Sequence, residues 1–213
     1  MKYSHIIWDF NGTLLDDMEA GIKSENVLLQ RRNMPLIESE EQYRAAFCFP
    51  VIDFYKKLGY DFSRESYSEL ACEWTEQYIK FSADAKLFPY VPTILGMIQQ
   101  TGARQIILSA SEQTLLRGQV EKLGILEYFD TVLGLDNNHA LDKTAIAKQW
   151  VAEEKPQKML LIGDTSHDME VAESIGADCL LIANGHQSYN YLKERGATLL
   201  GTICEVVNFL EIM

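Results

Sequence analysis

Four short runs of the chain are apolar almost without interruption: SHIIWDF (4–10), RQIILSA (104–110), KMLLIGDT (158–165) and DCLLIA (178–183). Continuous rather than alternating apolarity marks strands covered on both faces, as in a parallel sheet. DTVLGL (130–135) is a weaker fifth. Helical patterns fill the intervals (TILGMIQQTGA, SEQTLLRGQVEKLGI, LDKTAIAKQWVAEE and SHDMEVAESIGA), and Gly102, Gly124 and Gly176 stand near three of their ends. A left-handed helix cap favours glycine at such places. Strand–helix alternation from about residue 87 onward predicts an α/β fold built on a doubly wound parallel sheet.

Residues 15–86 break the alternation. They read as wholly helical, with candidates in DDMEAGIKSENVLLQRRN, SEEQYRAAF, VIDFYKKLG and RESYSELACEWTEQYIKFSA. A helical block between the first and second strands predicts an inserted cap domain, residues 15–86, on a core formed by 1–14 and 87–213. The expected hinges lie near Leu14–Asp17 and Ala85–Pro89.

Charge limits the partners. Among 213 residues, 31 acids face 19 bases, a formal charge of −12. Such a surface repels nucleic acid and anionic membrane, so neither is expected as a partner. An anionic substrate would need local positive charge at its site. No apolar run reaches the roughly 18 residues of a membrane span, and Asp9 interrupts the only apolar stretch near the start. Cys48, Cys72, Cys179 and Cys204 lack C-x-x-C spacing and are expected to be buried or partly buried reduced thiols in a cytoplasmic protein.

In open parallel sheets, ligands bind beyond the carboxyl ends of the strands. Three of the best strands end there in a polar residue: Asp9, Ser109 and Asp164. Lys143 opens the helix between the last two, and Asp168 follows Asp164 by one helical turn. A lone strand-terminal Asp is often only an N-cap. Two acids, a hydroxyl and a lysine at one edge are harder to dismiss. Converging carboxylates repel unless a cation separates them, and hard oxygen donors suit Mg²⁺. Lys143, Ser109 and the backbone N–H groups of Asn11-Gly12-Thr13 would complete a grip on a phosphoryl group.

These segments resemble the four motifs of the haloacid dehalogenase superfamily. DFNGTL is similar to its first motif, Asp-x-Asp-Gly-Thr; IILSAS carries the serine of the second; Lys143 in LDKTAIA is similar to the third; and GDTSHDMEVAESIGAD matches the fourth. The helical insertion and FPVIDFYKKLGY resemble phosphoglycolate-phosphatase-like members most. The resemblance implies a Rossmann-like core with a helical cap, and a Mg²⁺-dependent phosphatase acting on a small phosphorylated metabolite as a monomer or homodimer. Asp9 would be the nucleophile that carries the phosphoryl group. Asp9, the carbonyl of Asn11 and Asp164 would hold Mg²⁺, with Asp168 touching the ion through water or orienting Lys143. Ser109, Ala110, Lys143, Gly12 and Thr13 would line the phosphoryl site.

Asn11 departs from the pattern. In phosphatases of this family an aspartate here protonates the leaving alcohol and then activates water; an amide can do neither. Losing a positioned acid–base typically costs on the order of 10²–10⁴ in rate. Four explanations stand open: a leaving group that needs little protonation; a phosphonate-cleaving relative with a cap lysine, for which Lys56 and Lys57 are candidates; a binder or slow regulatory enzyme; and a substitution introduced to trap a complex. The favoured expectation is a metal-dependent phosphatase of reduced activity, with a non-catalytic phosphate-ligand binder as the rival from another class. A receiver-like signalling domain also uses Asp, Lys and Mg²⁺, but lacks a helical block after its acceptor strand.

Other residues have plainer expectations. His167 reads as an exposed helix-start residue, and His5 and His139 as structural or solvated. His186, after Asn184-Gly185, lies at the active edge on a loop of the kind that carries function. Arg31-Arg32 and Lys56-Lys57 read as solvated helix faces, and Arg44 as a possible partner for an anionic tail. Phe47-Cys48-Phe49-Pro50 with Phe54 and Tyr55 reads as cap core first and as a lid over the leaving group second.

Overall fold

The computed structural model describes residues 1–135 and 143–212. His139 lies outside them. The chain starts with β1 (His5–Trp8), then β2 (Leu15–Asp16). The helices α1 (Met18–Arg31), α2 (Glu40–Ala46), α3 (Val51–Leu58) and α4 (Tyr67–Phe81) follow. Next come β3 (Lys86–Leu87), α5 (Val91–Gln100), β4 (Arg104–Glu112), α6 (Gln113–Lys122) and β5 (Thr131–Leu135). The chain closes through α7 (Lys143–Glu154), β6 (Met159–Gly163), α8 (Ser166–Ile175), β7 (Asp178–Ile182), α9 (Tyr189–Glu194), β8 (Leu199–Leu200) and α10 (Val206–Phe209). No helix among the described residues is long and apolar enough to cross a membrane.

Six strands form one parallel sheet in the order β5-β4-β1-β6-β7-β8. The doubly wound α/β architecture expected from the apolar runs is the one observed. Period-two alternation sends the strand residues to opposite faces: Ile6, Trp8 and Phe10 join one core cluster with Ile107, Leu160 and Ile162. Ile7 joins the other with Ile106, Leu108 and Leu161. Both faces are covered, which is why the runs are apolar throughout. β1 pairs with β4 on one side and β6 on the other, Trp8 lying beside Ile107 and Ile162. The strand order reverses at β1, so the loops leaving β1, β4 and β6 share one edge. Gly102, Gly124 and Gly176 all have positive φ, as the capping expectation required.

The helices α1–α4 pack around a cluster of their own, including Leu28, Leu29, Tyr43, Phe54, Tyr55, Tyr60 and Leu70. Phe54 and Tyr55 are buried in it, as the plainer expectation had it. The two linkers to this block are not bare hinges. They pair as a two-stranded antiparallel ribbon, Leu15 opposite Leu87 and Asp16 opposite Lys86. Two-residue strands carry no readable period, so the sequence gives no sign of them. Arg32 is also less solvated than expected: it bonds Glu65 and Glu73 at 2.8 Å and lies over the Tyr60 ring, tying α1 to α4. The cysteines are free, but Cys72 and Cys204 are exposed rather than buried.

Glu25 sits at 0% exposure within the block, accepting from the Tyr60 hydroxyl at 2.8 Å through one oxygen while the other has no partner. Burial pushes its carboxyl up to about 7 from an ordinary 4.5, against the pull of Tyr60 and Arg32. The folded state therefore holds a proton that the unfolded chain releases, and stability falls as pH rises from about 4.5 to 7. The shift corresponds to about 3 kcal/mol. Urea midpoints of Glu25→Gln should lose most of this pH dependence and exceed the wild type at pH 8; parallel curves for the two proteins would refute the assignment.

Candidate active site

β1 ends at Trp8, and the Asp9 amide extends the ladder with one more bond, to the Ile162 carbonyl at 2.8 Å. The chain then wraps around the Phe10 carbonyl, which receives the amides of Leu14 at 3.0 Å and Leu15 at 2.9 Å. Gly12 makes the turn possible. Its φ is +73°, and a Cβ there would lie 2.5 Å from Asp164 Oδ2 and 2.6 Å from His186 Cδ2. The loop thereby folds back against the end of β6, bringing Asp9 and Asp164 together.

Ligand atoms of Asp9, Asp164 and Asp168 all lie within 4.8 Å of one another, and all three residues are buried. The Thr13 hydroxyl lies between two of them, 3.3 Å from Asp9 Oδ2 and 3.2 Å from Asp164 Oδ1. Lys143 opens α7 and turns its ammonium inward, bonding Asp9 Oδ1 and, at 2.7 Å, Asp168 Oδ1. Asp168 Oδ2 accepts from the Thr165 amide and hydroxyl at 3.0 and 2.7 Å, closing a capping box at the start of α8. Asp168 thus bonds the Lys143 ammonium directly. Asp164 accepts the His186 amide at 2.6 Å.

The electrostatics are unbalanced. Burial raises the Asp9 carboxyl despite the Lys143 ammonium, and Asp168 and Asp164 push it the same way. Burial also raises Asp164, to about 6, with Asp168 adding to the rise against the pull of His186. Burial opposes the charge on Lys143, but Asp168 and Asp9 outweigh it and hold the ammonium above its ordinary range. Among the described residues, one lysine shared by Asp9 and Asp168 leaves Asp164 without a cation bonded to its side chain, and the group is short of positive charge.

Ser109 at β4 is buried; its hydroxyl donates to Asn11 Oδ1 at 3.3 Å, and Ala110 beside it is exposed. The loop amides differ from expectation. The Gly12 amide is taken by the Leu15 carbonyl at 2.9 Å and Asp17 Oδ1 at 2.8 Å, and that of Thr13 faces the Phe10 carbonyl at 3.4 Å. Closing so tight a turn consumes these donors, so Thr13 reaches the site through its hydroxyl instead. Lys56 and Lys57 are exposed, the first paired with Asp53 at 2.8 Å, the second on the Ala46 carbonyl at 3.2 Å. Arg44 donates to the Asn184 carbonyl at 3.1 Å.

Three contributors were not legible. Asp17 is 2% exposed and accepts from Gly12, from Asn11 and from the Tyr78 hydroxyl. Tyr43 of α2 meets His186 Nδ1 at 3.0 Å. The third is Ser111, which donates to Asn11 at 2.9 Å. His186 is buried between Tyr43 and Asp17; burial disfavours its charge, but the Asp17 bond and charge push it up to about 9. The aromatic segment reaches the core: Phe47 lies 5.2 Å from the His186 ring and Phe49 stacks on His167 at 4.7 Å. His167 is therefore half-buried under the helical block.

A parallel sheet whose reversal point gathers carboxylates and a lysine, with a helical insertion after its first strand, defines a class of α/β enzyme. Residues 6–182 match the haloacid dehalogenase-like hydrolase family, and the chain belongs to it. It is 21% identical to a phosphoglycolate phosphatase of Neisseria gonorrhoeae over 97% of this chain and 92% of that protein. It shares its fold with a haloacid dehalogenase-like hydrolase of Streptococcus pneumoniae (TM-score 0.82, 20% identity, covering 98% of this chain and 99% of that one). The same holds for protein tyrosine kinase A of Mycobacterium tuberculosis (TM-score 0.82, 20% identity, 98% of each chain).

Gly185 permits the approach of the β7 loop. A Cβ there would lie 2.1 Å from Asp164 Oδ2 and 2.4 Å from the Gly12 carbonyl. Gly185→Ala should displace Asp164 and cost about 1–3 kcal/mol by overpacking. An unchanged urea midpoint would show that the loop has room to spare.

Proposed function

We propose that this chain is a Mg²⁺-dependent phosphatase that hydrolyses a small phosphorylated metabolite through an aspartyl phosphate on Asp9, at a reduced rate. The observation that carries the reading is the buried group of Asp9, Asp164 and Asp168 with the Lys143 ammonium on Asp9, at the edge where open α/β sheets bind ligands. Family membership and resemblance to a phosphoglycolate phosphatase support the reaction class.

The donor set fits a divalent cation. Asp9 and Asp164 are hard oxygen ligands whose carboxyls are both raised by burial and by neighbouring carboxylates, so a cation between them would relieve an existing cost. Asp9, Asp164 and the Asn11 carbonyl would hold Mg²⁺, with Asp168 alongside; when bound, it would offset the negative charge of the phosphoryl group. Lys143 would supply the second positive charge and Ser109 a hydroxyl to a phosphoryl oxygen.

In the first half-reaction Asp9 forms an O–P bond as the ester O–P bond breaks. The departing oxygen takes its proton from water, because Asn11 has none to give. In the second, water attacks phosphorus, loses a proton to solvent, and releases inorganic phosphate and the Asp9 carboxylate. Asn11 slows both. Residues 15–86 form a cap hinged at the β2–β3 ribbon, and Phe47 and Phe49 close it over the core.

The saturated amide of Asn11 favours one rival, a phosphate-ligand binder without turnover. A panel of phosphomonoesters assayed with Mg²⁺ and with a chelator separates the two. The phosphatase reading expects slow, chelator-sensitive release of phosphate that Asp9→Asn abolishes. Turnover that survives both treatments would sink it; phosphate binding without turnover would favour the binder.

A further inference from the structure

Asn11 is the meeting point of three parts of the molecule. Its Nδ2 donates to Asp17 Oδ2 at 2.9 Å and to the Tyr78 hydroxyl at 2.7 Å. Its Oδ1 accepts from Ser111 at 2.9 Å and Ser109 at 3.3 Å. Asp17 ends the β2 linker, Tyr78 belongs to α4 of the helical block, and both serines stand at the end of β4. An amide offers two N–H donors and one carbonyl oxygen with two lone pairs, and here every one is used.

The polarity of this arrangement is fixed from outside. Asp17 Oδ1 accepts the Gly12 amide at 2.8 Å and faces His186 Nε2 at 3.4 Å. Its Oδ2 accepts the Tyr78 hydroxyl at 2.5 Å as well as Asn11 Nδ2. A buried carboxylate ringed by donors can only accept, so the side chain opposite it must donate. An aspartate at position 11 would put two carboxyl groups in contact, which would have to share a proton, with the Tyr78 hydroxyl left to serve both.

We propose that Asp17 and Tyr78 are positioning residues that fit position 11 to an amide, so that positions 11 and 17 form an exchangeable acid–amide pair. The inference rests on the phosphatase reading for its catalytic consequence, but not for the pairing itself. Exchanging the two side chains keeps every hydrogen bond. The new amide at 17 donates to the new carboxylate at 11, still accepts from Gly12 through its carbonyl, and turns its other N–H to Tyr78. The Tyr78 hydroxyl reverses, now donating to position 11, and the two serines donate as before. The exchanged pair places a carboxylate where it can take the proton of the water that attacks the aspartyl phosphate and pass it to solvent, while the departing ester oxygen still takes its proton from water.

The test is a double-mutant cycle on the full chain, read by melting temperature and by kcat for a generic phosphomonoester with Mg²⁺. Asn11→Asp alone should melt about 5 °C lower and gain clearly less turnover than the double variant, and Asp17→Asn alone should melt lower by a similar amount. The double variant should recover most of the lost melting temperature. Its kcat should rise about 10²-fold over the wild type, the lower end of what a positioned acid–base contributes. A purely structural pairing would restore melting without raising kcat, and that result would overturn the catalytic half of the proposal. A gain in Asn11→Asp equal to that of the double variant would overturn the whole, as would additive melting shifts. If Asn11→Asp does not fold, an unchanged melting temperature in Asp17→Asn overturns the pairing and a lowered one supports it. If no protein in the set hydrolyses any phosphomonoester, the phosphatase reading falls, while non-additive melting shifts still uphold the pairing.

Discussion

The structure depends on keeping three carboxylates and one lysine dry at a single edge of the sheet. Burying a charge is costly unless it is paired and hydrogen-bonded, and the surroundings of Asp9, Asp164 and Asp168 are organised to limit that cost. Asp168 takes the capping bonds of α8 and the Lys143 ammonium. Asp164 takes the His186 amide, and the Thr13 hydroxyl sits between Asp164 and Asp9. None of this neutralises the group, because a single ammonium is divided between two of its acids. The remaining imbalance is the physical reason to expect a cation there.

Close packing of backbone against carboxylate makes the cluster possible. At Gly12, Gly163 and Gly185 a Cβ would fall less than 3 Å from an atom of Asp164 or Asp168, so two loops and the end of β6 pack against the acids only because a glycine stands at each point. β1 is the element that makes them converge. Flanked by β4 and β6, it stands where the strand order reverses, and whatever follows its last residue must meet whatever follows theirs. Position in the sheet, more than any local preference, decides that Asp9 and Asp164 become neighbours.

Much of this was legible in the sequence, for definite reasons. The strands announce themselves because burial on both faces leaves no polar positions to confuse the pattern, and the terminal Asp9, Ser109 and Asp164 stand out against that background. The β2–β3 ribbon was not legible, being too short for any period. Asp17 was legible only as the end of an expected hinge, yet its side chain turns back into the loop that precedes it. Tyr78 and Tyr43 lie on helices whose apolar faces explain them fully as core; only their hydroxyls, aimed at Asp17 and His186, reveal a second task. Spacing along a chain does not encode where a phenol oxygen ends.

The same saturation that hides these residues restricts the chemistry on the proposed reading. Two groups near Asn11, Asp17 and His186, are candidates to replace a missing acid, and neither is free. The Asp17 carboxylate is held below its ordinary range, burial being outweighed by the bonds from His186, Tyr78 and Asn11, so it has no proton to give. His186 has one nitrogen on Tyr43 and the other facing Asp17, so donating to a substrate would break the contact that keeps it charged. The departing oxygen must then leave with a proton from water or with none. The barrier for that step rises with the basicity of the leaving group, and a site so arranged acts best on phosphoryl groups whose departing oxygen is already a weak base. On that reading, substrate preference would be set by what the protein withholds at position 11.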